Sequence, residues 1–82
     1  MDRYIEYLAA EFRLHTFSAE GLQEALQIAK GRLTTDLGAF LAVRGIMRQM
    51  FAGDETAPQT YACADELSRD EIRAIKAAIK EK

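Results

Sequence analysis

Apolar residues recur at helical spacing in four stretches of this chain. In the first, Ile5, Leu8, Ala9 and Phe12 make an i, i+3, i+4, i+7 stripe with Met1 and Tyr4 beside it, which predicts a helix over 2–14. Tyr7 and Leu14 lie off that stripe, where they either widen the buried face or meet a partner. Arg3, Glu6 and Arg13 belong to the wet side. The pattern breaks at His15-Thr16-Phe17-Ser18. Ser18 is a good N-cap, and Phe17 with Leu22 has the spacing of a hydrophobic staple. The second stripe, Leu22, Ala25, Leu26, Ala29 and Leu33, predicts a helix from Ala19 to Gly31 or Leu33. Glu20, Gln23, Glu24, Gln27 and Lys30 face water on it.

The third stretch, Thr34 to Gly53, predicts the central helix, about 35–52. At about 100° per residue, Ala39, Phe40, Val43, Ile46, Met47, Met50 and Phe51 fall on one broad face. Gly38, Ala42, Gly45 and Ala52 fall on a second, with Gln49 among them, and Leu37, Leu41, Arg44 and Arg48 lie between. A surface helix normally carries a wide polar face; this one does not, so it is expected to pack on both sides. Each glycine costs about 1 kcal/mol relative to alanine in a helix. The face Gly38, Ala42, Gly45, Gln49 therefore reads as a place of close approach, either inside one monomer or at the seam of a dimer. Thr34 or Thr35 can cap the start, Asp36 complements the helix dipole in the first turn, and Gly53 reads as the stop.

Residues 54 to 67, DETAPQTYACADEL, are the least regular. Pro58 suits the first turn of a short fifth helix near 58–65; the alternative is an ordered loop. The fourth stripe has the clearest start signal. Ser68 and Glu71 have capping-box spacing, and Leu67 with Ile72 that of a staple. Ile72, Ile75 and Ile79 form a narrow apolar line widened by Ala78. These elements predict one all-α domain over 1–82, a compact bundle with the third helix as its spine and the other three laid against it.

Composition changes this picture little. Eighty-two residues bury only about 60–65% of the surface of the unfolded chain, and self-association is one remedy for so small a core. The single cysteine, Cys63, allows no internal disulfide and fits a reducing, cytoplasmic setting. The net charge of −2 gives no general attraction to nucleic acid or to anionic membrane. The acidic start, with Asp2, Glu6 and Glu11, is not that of a signal peptide, and the longest apolar run, Leu37 to Val43, is too short to span a bilayer.

The chemistry on offer is sparse. His15 is the one histidine and has no ligand-spaced companion, so no metal site or cofactor is expected; its place at a helix end suggests a cap for free carbonyls. Cys63 reads as a structural thiol. No glycine-rich phosphate loop is present, and no catalytic residue is assigned. A helix-turn-helix register centred on Gly31 puts Gln27 where a small residue should pack. It also puts Lys30 and Arg32 where apolar ones should, so that motif is rejected.

Two charged features remain. Asp54, Glu55, Asp65 and Glu66 belong to an acidic run that is either a solvated edge or a patch for a basic partner. Arg69, Arg73, Lys76 and Lys80 form a basic strip, either a wet helix face or a track for phosphates. The leading expectation is a non-enzymatic protein-interaction module, a small regulator, inhibitor or adaptor that forms a homodimer. The alternative is a nucleic-acid-binding regulator that uses the basic face of the last helix.

Overall fold

A computed structural model of the chain describes residues 2–52 and 67–80, which form four helices: α1 (Asp2–Glu11), α2 (Ala19–Leu33), α3 (Asp36–Ala52) and α4 (Arg69–Lys80). They make a small all-α bundle. The expected short helix near 58–65 and the stop at Gly53 lie outside the described residues.

Capping residues set the ends of these helices. Ser18 adopts an extended backbone, and its Oγ accepts from Gly21 N–H at 2.9 Å, which starts α2. Phe17, at the staple position, is half-buried against the core cluster that includes Leu22. The α2 helix stops at Thr34, which turns into the left-handed region (φ 68°) and donates its N–H to the Lys30 carbonyl at 2.9 Å. Thr35 then starts α3: its Oγ1 accepts from Gly38 N–H at 3.1 Å. Of the two threonines that could cap α3, Thr35 does so, and Thr34 instead closes α2.

Ser68 and Glu71 close the predicted capping box. Glu71 Oε1 accepts from Ser68 N–H at 2.8 Å, and Ser68 Oγ accepts from Glu71 N–H at 3.1 Å.

The helix α1 is shorter than its stripe implied, ending at Glu11 rather than residue 14. Past Phe12 the chain tightens into a three-residue turn, with His15 N–H donating to the Phe12 carbonyl at 2.9 Å. The gain from that turn is aromatic packing around Phe51 of α3. Phe12, His15 and Phe17 bring their ring centroids to 5.9, 4.5 and 6.3 Å from it. His15 stacks on Phe51 nearly parallel, at 11°, so its ring serves packing and not the carbonyl cap that its position suggested.

The core gathers the four stripes. Leu8 of α1, Leu22 and Leu26 of α2, Val43, Ile46 and Met47 of α3, and Ile75 and Ile79 of α4 are fully buried. Each such side chain contributes about 1.5–3 kcal/mol relative to exposure. As expected, α3 is covered on two sides, with Ala39 and Val43 buried on the broad face and Ala42 and Gly45 on the small one.

The helix on which the others pack most is α2, not α3 as the pattern implied. α2 lies against α1, α3 and α4, and α4 packs mainly on α2 and less on α3. Ala25 and Ala29 of α2 and Ala78 of α4 are buried, and side chains this small allow helix axes to approach closely.

Candidate interaction surfaces

The α1–α3 flank is built from aromatic side chains that the core does not fully absorb. Tyr4 stacks on Phe40 with centroids 4.8 Å apart, and Tyr7 meets the same ring edge-on at 6.3 Å. Tyr4 and Phe40 are half-buried, whereas Tyr7 stays 55% exposed. One turn before Phe40, Leu37 is 56% exposed. Tyr7 was one of the two residues that lay off the α1 stripe. Its partner there is Phe40, which fixes its ring while leaving one side open. The other, Leu14, is 90% exposed in the turn after α1. Beside the aromatic group, Arg44 Nε donates to Glu11 Oε1 at 2.7 Å. Both side chains are about one-third exposed, so this ion pair adds at most about 1 kcal/mol to stability. It also orients two opposite charges on one face.

Two further ion pairs tie helix ends. Arg32 Nε, near the end of α2, lies 3.3 and 3.1 Å from Glu71 Oε1 and Oε2 at the start of α4. The Ser68 backbone N–H, and after it the Arg32 side chain, hold the Glu71 carboxyl below its ordinary value of 4.5. Lys30 Nζ lies 2.8 Å from Asp36 Oδ1 across the Thr34–Thr35 link. That oxygen is shielded from solvent, and an ammonium at 2.8 Å is a direct charge contact. By hydrogen bonding and by charge, Lys30 lowers the Asp36 carboxyl below its ordinary 3.8.

Between the first turns of α1 and α2 lies an open groove of about 360 Å³, lined by Asp2, Ile5, Glu6, Ala19, Glu20 and Gln23. Three carboxylates, those of Asp2, Glu6 and Glu20, share its lining with the apolar Ile5 and Ala19. In the sequence those acids fall on the wet sides of separate helices, and only the packing of the two N-termini brings them together. Among the described residues, no group of three or more His, Cys, Asp or Glu side chains is placed to hold a metal ion.

The residues singled out from the sequence meet different fates. Asp54, Glu55, Asp65, Glu66 and Cys63 lie outside the described residues. Ala42 and Gly45 are buried within the bundle, while Gly38 and Gln49 are half-buried. At Gly38 the missing Cβ has a local cause. A Cβ there would come within 2.8 Å of Thr35 Oγ1, the hydroxyl that caps α3. Arg69, Arg73 and Lys80 are exposed on α4, and Lys76 is half-buried. No described helix is long and apolar enough to cross a membrane. No protein-family model, no curated protein and no solved structure matches the chain.

Proposed function

We propose that this chain is a non-enzymatic protein-interaction module, a small cytoplasmic regulator, inhibitor or adaptor, and that it works as a homodimer. One observation carries the reading. Tyr7, which packs on Phe40, and Leu37, one turn before Phe40 on α3, both stand more than half exposed. Tyrosine held in place by a ring neighbour makes a contact surface with little side-chain entropy left to lose. The occupant of this face in the proposal is a second copy of the chain. The Glu11–Arg44 ion pair is closed within the chain, so that part of the face carries no net charge to repel an identical copy. The limited core of an 82-residue domain supports self-association as well. The acidic residues Asp54, Glu55, Asp65 and Glu66 are the candidate contact with a basic protein partner.

Sedimentation velocity over a concentration series tests the dimer. The wild type should sediment as a dimer and Leu37→Glu as a monomer, with unchanged helicity because Leu37 is not part of the core. A wild type that remains monomeric at every concentration would overturn the assignment of this face.

A further inference from the structure

The charge pattern of α4 has no part in that interface. On a wheel of about 100° per residue, Arg69, Arg73, Lys76 and Lys80 fall within about 60° of one another. At about 1.5 Å per residue they climb the helix in steps of about 6, 4.5 and 6 Å, some 16.5 Å in all. Ile75, Ala78 and Ile79 are buried on the other side, so the direction of the strip is fixed by the core. The acids of α4 do little to neutralise it. Glu71 is engaged by Ser68 and Arg32. Asp70 approaches Arg73 only to 3.9 Å, with side chains 94% and 78% exposed. A pair that open to solvent contributes almost nothing.

We propose that the strip Arg69, Arg73, Lys76 and Lys80 binds the phosphate backbone of duplex nucleic acid without reading its sequence. A duplex carries one phosphate charge about every 1.7 Å of axis over its two strands, so four bases spaced about 4.5–6 Å apart can each neutralise one phosphate. The strip lacks the aromatic rings on which unpaired bases stack, which favours duplex over single strand. It also lacks the amide side chains that read adenine edges, which removes that route to sequence preference. The apolar side of α4 is committed to the core, so the helix has no face to lay into a bilayer.

The test is fluorescence anisotropy of a labelled mixed-sequence DNA duplex titrated with the full chain between about 50 and 200 mM salt. Four neutralised phosphates give a slope of log K against log salt of about −3.6, a loss of about 150-fold over that range. The double variant Arg73→Gln, Lys76→Gln should halve the slope to about −1.8, and Arg73→Gln alone should give about −2.7. The halving is the decisive quantity, because a dimer engaging both strips doubles every slope. Arg13→Gln, an exposed base outside α4, should leave the slope unchanged. Circular dichroism confirms that each variant is folded. Three results would each overturn the proposal: no binding at the lowest salt, a slope indifferent to the α4 substitutions, or tighter binding to single strands or anionic vesicles than to duplex.

Discussion

Thr34 and Thr35 are adjacent, identical and both exposed, yet the fold predicts opposite outcomes when each is replaced. Thr34 holds φ at 68°, the only non-glycine residue among those described with a positive value. For an L-residue the left-handed region costs about 1–2 kcal/mol, and β-branching makes threonine among the poorest choices there. Glycine removes that cost and adds back about 0.4–1 kcal/mol through a freer unfolded chain. Thr34→Gly should therefore stabilise the protein by about 0.5–1 kcal/mol, and Thr34→Asn, which tolerates αL without the added freedom, by a similar amount. At Thr35 the hydroxyl accepts from Gly38 N–H, and Thr35→Ala forfeits that cap at a cost of about 1 kcal/mol. Unfolding entropy near 2.1 cal/mol/K per residue makes 1 kcal/mol worth about 6 °C in a chain of this length. Thermal melts followed by far-ultraviolet circular dichroism should rise by about 3–6 °C for Thr34→Gly and fall by about 6 °C for Thr35→Ala. Shifts of the same sign, or a lower Tm for Thr34→Gly, would refute the division of roles.

Gly31 lies near the end of α2 with nothing within 4 Å of where a Cβ would stand. Gly31→Ala should raise stability by about 0.5–1 kcal/mol in denaturant titration, whereas Gly38→Ala should gain little, because its Cβ crowds the Thr35 cap. Glu71 supplies a pH dependence. Its folded-state pKa lies below the ordinary 4.5, so its contribution is complete above that pH and is lost as pH falls through the lowered value. Glu71→Gln should melt below the wild type at neutral pH, and the gap should close as pH falls below 4.5 through the lowered value; a gap constant with pH would contradict the stabilisation of the carboxylate by Ser68 N–H and Arg32.

Much of this was legible because capping and periodicity are local. Ser18, Ser68 and Glu71 fix helix starts through bonds spanning three residues; the stripe of α2 is buried as its spacing implies, and that of α4 is buried at Ile75, Ala78 and Ile79 with Ile72 half-buried. What escaped depends on contacts across the chain. The early end of α1 follows from the gathering of Phe12, His15 and Phe17 around Phe51, thirty-four or more residues away. The acidic groove needs two helix N-termini side by side, and no single stretch contains it. Gly38 is the instructive middle case. Its place on a small-residue face suggested an approaching helix, but the atom nearest the missing Cβ belongs to a cap three residues back. The exposed Tyr7 was visible as a residue off its stripe, whereas its fixing by Phe40 was not.

The bundle also separates the two proposed surfaces. α2 contacts both α1 and α4, and although α3 also packs on α4, the proposed dimer face is made by Tyr7, Leu37 and Phe40 and the strip by exposed and half-buried bases of α4. The dimer face on α1 and α3 and the basic strip on α4 therefore share no residue, and substitutions in one should act independently of the other. Their consequences still multiply. A dimer closed through Tyr7 and Leu37 leaves both α4 strips free, giving one particle two weak phosphate tracks. The second engagement is then intramolecular, so affinity for a duplex long enough to reach both strips exceeds that of either alone. Leu37→Glu should accordingly weaken binding to a long duplex much more than to a short one, although residue 37 makes no contact with nucleic acid in either complex. Equal losses on both lengths would place Leu37 at the nucleic-acid surface itself and undo the separation.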